Sequence, residues 1–111
     1  MNGTQSVRRD PLKELCVYLE SVRQRGGFRS LALADSEGLL IAGAGKYSEC
    51  EELSALSALR VSGPSHVLGR FPLLGSEVLL CAPEQGSSDV VTHVRRACER
   101  ILGFARPRVS H

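Results

Sequence analysis

The sequence predicts an α/β (α+β) sandwich: an antiparallel sheet with helices on both faces, in the order helix, strand, strand, helix, one or two strands, helix. Three observations carry this prediction. Residues 29–45 read as two apolar runs around one tight turn. An amphipathic helix with clear start and stop signals precedes them, and a helix opened by acidic residues follows. A final apolar run then leads into a second strongly amphipathic stretch. At 111 residues the chain makes one domain with one core.

Residues 1–9 are polar and read as a tail, 10–104 as the folded domain and 105–111 as a second tail. Asp10 followed by Pro11 is a helix start, because Asp accepts from free N–H groups and Pro suits the first turn. Leu12, Leu15, Cys16, Leu19 and Val22 then recur at helical spacing, and Gly26-Gly27 ends the helix. Strand one runs from about Phe28 to Asp35 and strand two from about Leu39 to Ala44. Asp35, Ser36 and Glu37 form the turn, and Gly38 takes the positive φ of a three-residue loop. That loop sets Leu33 opposite Ile41, Leu31 opposite Gly43, Ala32 opposite Ala42 and Ala34 opposite Leu40. One face is bulky, the other small, and neither alternates with charge, so both need cover. The first and third helices suit the bulky side and the second suits the small side.

Ser48-Glu49-Cys50-Glu51 has the form of a capping box for the second helix. Leu53, Leu56 and Leu59 follow among Ala and Ser residues, with little charge beyond the first turn. This helix is therefore expected to be largely buried, in part against a second subunit. Gly63-Pro64 breaks it. Residues 65–75 read as an irregular edge strand because of Gly69 and Pro72. Glu77 to Ala82 is a buried strand. Ser87 or Ser88 with Asp89 opens the last helix, whose stripe is Val90, Val91, Val94, Ala97, Cys98, Ile101 and Leu102. Gly103 stops it and Pro107 keeps it stopped.

Composition narrows function mainly by exclusion. A net charge of +2 argues against a nucleic-acid or membrane surface as the main partner, and 5% aromatic content with no Trp argues against a base-stacking platform. Arg95, Arg96 and Arg100, with Arg106 and Arg108, nonetheless form a basic end that suits an acidic protein surface; nucleic acid is the lesser alternative. Cys16, Cys50, Cys81 and Cys98 lie far apart and pair with no His at ligand spacing. With no signal peptide in Met1 to Arg9 and no long apolar run, they read as buried thiols of a cytoplasmic protein rather than disulfides or metal ligands. His66, His93 and His111 stand beside no nucleophile elbow. The carboxylates at Asp35 and Glu37 and at Glu49, Glu51 and Glu52 are explained by turn and helix-start chemistry. Gly43 and Gly45 lack the rest of a phosphate-binding fingerprint. No catalytic residue, cofactor site or metal site is expected, which favours a binding module over an enzyme or small-molecule sensor.

The hairpin Leu31-Ala32-Leu33-Ala34-Asp35-Ser36-Glu37-Gly38-Leu39-Leu40-Ile41-Ala42 is similar to the apolar-Asp-x-x-Gly-apolar hairpin of the roadblock family, named for the dynein light chains. The Glu-rich start and small-residue body of the second helix, and the strand into the third, resemble its bacterial MglB-like branch. The resemblance spans residues 10–104. It departs in 61–77, where the family usually has three strands after the second helix and this sequence has room for two. The resemblance implies a cytoplasmic, non-catalytic homodimer joined through the second helix and a sheet edge. Such a platform binds a Ras-like small GTPase or a sister roadblock protein in polarity or motility, as a scaffold or as a direct GTPase-activating co-regulator. Leu53, Leu56, Leu59 and Arg60, with Val67 and Phe71, are the expected interface, and Arg95, Arg96 and Arg100 the expected contact with an acidic partner.

Overall fold

A computed structural model describes residues 10–59, 67–86 and 88–105. The expected first tail, Arg60, the Gly63-Pro64 break and residues 106–111 of the expected second tail lie outside these residues; Ala105, expected in that tail, ends the last helix. Asp10 starts the fold as expected: its carboxylate accepts from the N–H groups of Leu12 at 3.2 Å and Lys13 at 3.3 Å. Helix α1, Pro11–Gly26, follows and ends on Gly27, whose φ of 72° is the left-handed cap conformation. There the N–H of Phe28 donates to the carbonyl of Arg23 at 3.0 Å, turning the chain into the sheet.

Strands β1, Leu31–Asp35, and β2, Leu40–Ala44, form the expected hairpin. The Asp35 carboxylate accepts from the N–H groups of Glu37 at 2.9 Å and Leu39 at 3.0 Å, and Gly38 sits at φ 89°. The register departs from expectation. Ala34 pairs with Leu40 as predicted, but Leu33 pairs with Ala42, Ala32 with Gly43 and Leu31 with Ala44. Ile41 is an extra residue, a β-bulge, and a one-residue insertion reverses the faces of everything beyond it. Ala42 and Ala44 therefore join Leu31 and Leu33 on the bulky side. Gly43 turns to the small side, where a Cβ would stand 2.9 Å from Cys50 Sγ.

Helix α2, Tyr47–Leu59, begins one residue before the predicted box. The N–H of Cys50 donates to the carbonyl of Lys46 at 3.0 Å, so Ser48 lies inside the first turn instead of capping it. Glu51 bonds the Tyr47 side chain instead and pushes its hydroxyl above the usual range.

Two strands follow, β3, Val67–Leu73, and β4, Ser76–Cys81, in the order β2-β1-β4-β3, all antiparallel. The segment expected as an irregular edge strand is one, over Val67–Leu73. Its irregularity is confined to a register shift between Val67 and Gly69, and an edge position tolerates Pro72. The β3–β4 turn is Leu74-Gly75, both at positive φ (53° and 86°), the signature of a tight two-residue hairpin.

Helix α3, Ser88–Ala105, runs through Gly103, which was expected to stop it. A helical glycine costs only about 1 kcal/mol relative to alanine, and burial of Ile101 and Leu102 just before it offsets that. On one face of the sheet, Leu15 and Leu19 of α1 and Val94, Ala97, Cys98 and Ile101 of α3 meet Leu31, Leu33, Phe71, Val78 and Leu80. On the other face, Cys50 and Leu53 of α2 meet Ala32, Leu79 and Cys81. The predicted division of helices between the faces holds.

Candidate functional site

Helix α2 lies over β1 and β2 and touches β4 less, leaving the β3 side of its face uncovered by helix among the described residues. Cys50, Leu53, Ser54 and Ser57 face the sheet. The two buried hydroxyls stay satisfied by bonding back into their own helix, Ser54 to the carbonyl of Cys50 at 2.9 Å and Ser57 to that of Ser54 at 2.7 Å. One flank of α2 leans on the β1–β2 turn: a Cβ on Gly38 would stand 2.7 Å from Ala58 Cβ and 3.2 Å from the Ser54 carbonyl oxygen.

The predicted interface leucines divide by helical geometry. Three residues fall about 60° short of a full turn, so each successive leucine rotates further round the helix. Leu53 is buried in the chain's own core, Leu56 is half-buried at the rim, and Leu59 is 66% exposed. Leu56 thus lies on the flank away from Gly38, and Leu59 on the outward face of the helix. On the same side of the sheet, β3 and β4 display Arg70, Pro72 and Glu77, with Arg70 and Glu77 3.9 Å apart, and Val67 packs against the α2 cluster. Phe71 does not join them. It is buried on the opposite face, under α3, because strand alternation sends it there. Arg60 lies outside the described residues.

Arg95, Arg96 and Arg100 are exposed on α3, across the sheet from α2, with Asp89 and Glu99 among them. Helical spacing puts Arg96, Arg100 and His93 on one stripe, within about 60° of arc, and Arg95 on the far rim.

A polar cluster at the α2 start has no local sequence signal. Glu49 accepts from Arg29 Nε at 2.8 Å and from the buried Ser30 hydroxyl at 2.6 Å, while Glu84 accepts from the Arg29 N–H at 3.1 Å. The Arg29 guanidinium holds the Glu49 carboxyl below its usual range, helped by Ser30. These residues are 19 to 55 positions apart in sequence, so only the fold brings them together. They tie the first strand, the second helix and the loop after β4 into one joint.

Burial pushes the Cys50 thiol up, Cys81 to about 11 and Cys98 to about 12, which keeps these sulfurs protonated and unreactive. Among the described residues no three His, Cys, Asp or Glu side chains gather as metal ligands, and no helix is long and apolar enough to cross a membrane.

No profile of a known protein family matches this chain, and no curated protein matches it in sequence. Solved structures do match in shape. Myxococcus xanthus MglB aligns with TM-score 0.56 at 12% identity, over 93% of this chain and 98% of that one. A structure described as MglB with tetrameric arrangement aligns with TM-score 0.51 at 17% identity, over 89% of this chain and 95% of that one. Three helices around a four-stranded antiparallel sheet, in this order, make a roadblock-type, MglB-like fold.

Proposed function

We propose that this chain is a non-catalytic roadblock-type scaffold that dimerises through α2 and the β3 edge. As such it engages a small Ras-like GTPase or a sister roadblock protein in the cytoplasm of a bacterium, in polarity or motility. The observation that supports this most is the half-covered sheet. Helix α2 shields β1 and β2, carries Leu56 on its outer flank and Leu59 on its outward face, and leaves the face of β3 beside Leu56 without a helix among the described residues. A second copy laid across that flank covers both leucines with its own helix, which rests on the β3 face beside them. The resemblance of the hairpin and the MglB-like shape supply the partner class.

Molar mass in solution tests the reading. The expected result is a dimer at tens of micromolar for the native chain, and a folded monomer for Leu59→Arg, whose side chain is too exposed to disturb the protomer. A native chain that stays monomeric at that concentration overturns it. The exposed Arg95, Arg96 and Arg100 support an acidic protein surface as the second contact. Reversing Arg96 and Arg100 to Glu is expected to weaken GTPase-partner binding with dimer mass unchanged.

A further inference from the structure

Both outer strands of the sheet have one side unpaired among the described residues, and the two edges differ. The β3 edge carries Pro72, a register shift beside Gly69, and Arg70 close to Glu77. Proline, bulges and charge are the devices that discourage a further strand from adding. The β2 edge, Leu-Ile-Ala-Gly-Ala, shares a bulge, at Ile41, but has neither proline nor charge. Exposed apolar side chains gather beside it instead: Val17 at 66%, Leu39 at 62% and Tyr47 at 67%.

The edge is also recessed. A hollow of about 400 Å³ opens between Gly43–Gly45 and the α1 flank that carries Lys13, Val17 and Glu20. A second, of about 290 Å³, opens beside Leu40, Gly43 and Tyr47. Cys16 lines both. The Asp35 N–H donates to the Leu39 carbonyl at 3.0 Å, and antiparallel alternation from that bond turns the N–H and C=O of Leu40 away from β1. Past the Ile41 bulge, the same alternation turns those of Gly43 outward.

The placement of α1 selects the occupant. This helix packs on β2 far more than on β1, so it roofs the edge itself. A second copy pairing β2 to β2 would set those strands about 4.8 Å apart with an α1 above each. Packed helices need about 8–10 Å between axes, so the two α1 helices would be pressed against each other and would close the hollow between α1 and the edge. A lone extended chain meets no such obstacle. Its composition follows from the walls: Lys13 and Glu20 are of opposite sign, and the rest is apolar or glycine.

We propose that the β2 edge takes one extended, uncharged segment of another protein as an added strand, with its side chains entering the two hollows. This surface is separate from the α2–β3 dimer face and does not depend on it. Main-chain bonds to Leu40 and Gly43 hold the segment, and Val17 and Tyr47 close over it on either face.

Selection of a phage-displayed random-peptide library on the full chain tests this. The expected winners are uncharged and rich in β-branched residues. Val17→Glu and Tyr47→Glu each weaken their binding by about tenfold or more. Both sites are about two-thirds exposed, so unfolding midpoints stay unchanged. A winning peptide also slows amide exchange at Leu40 and Gly43 and shields Cys16 from maleimide. Failure to select any peptide overturns the proposal, as does selection of peptides that both Glu variants bind equally well. Concentration-dependent protection of the same amides without peptide also overturns it, by assigning the edge to a second copy.

Discussion

The sheet face under α1 and α3 is filled by volume: Leu15, Leu19, Leu31, Leu33 and Leu80 are all fully buried there. The face under α2 is filled by closeness. It buries Ala32, Cys50, Ser54 and Ser57, and glycines at 38 and 43 let the helix approach within contact of the backbone. The first arrangement needs two helices and removes a large apolar area from water. The second needs one helix held near the sheet, and it leaves room beside that helix. Bulk and close approach are thus assigned to opposite faces of one sheet.

Substitutions separate the two. Leu33→Ala, at the middle of the bulky face, is expected to cost about 3–4 kcal/mol in denaturant unfolding, from lost transfer energy and a residual cavity. A cost below about 1.5 kcal/mol would mean that this face collapses easily and is not the main support. Gly38→Val adds a side chain at φ 89° against Ala58 and is expected to cost about 2–3 kcal/mol. Because it pushes on α2, it should also expose Cys50 to thiol reagents while Cys98 stays protected. Equal exposure of both thiols would show that the faces do not yield separately.

Two smaller effects sharpen the picture. Leu74 holds a left-handed conformation and is half exposed, so Leu74→Asn is expected to stabilise by about 1 kcal/mol, read as a raised midpoint. Two surface carboxylates add a small contribution on the acid side. Glu20, on the bulky face, is lowered to about 2 by Arg23 and Gln24, and Glu49, beside α2, is lowered by Arg29 and Ser30. A folded pKa below the unfolded one means stability present above the model-peptide value and lost as pH falls through the folded value. That contribution should therefore hold down to about pH 4.5 and decline toward pH 2. Arg29→Gln should shrink the Glu49 share of that decline and leave the Glu20 share intact.

Much of this architecture is legible in the sequence because local chemistry specified it. Asp10-Pro11, Gly27 and the Asp35–Gly38 turn each act over a few residues and appear where predicted. The errors share a cause. The register of β2, the start of α2 and the run of α3 past Gly103 were decided by packing partners distant in sequence. Ser48 reads as a cap on local grounds, yet the helix begins earlier and Glu49 answers to Arg29 and Ser30. Leu74-Gly75 carries little turn signal, since leucine at positive φ is uncommon. For the candidate interface, helical spacing identifies Leu56 and Leu59 as a pair. It cannot tell that Leu53 and Phe71 point into their own core.

Were Ile41 paired in the ladder and not bulged out of it, the two faces of β2 beyond Leu40 would be exchanged. An unbroken ladder would keep Ala42 beside Ala32 and Ala34, and set Gly43 under α1. Helix α2 would then rest on methyl groups and ride higher, away from Gly38. Deleting Ile41 outright has a different effect, because the pairs Leu33–Ala42, Ala32–Gly43 and Leu31–Ala44 already skip it: the ladder closes, both faces keep their side chains, and only the Ile41 side chain is lost from the α1 side.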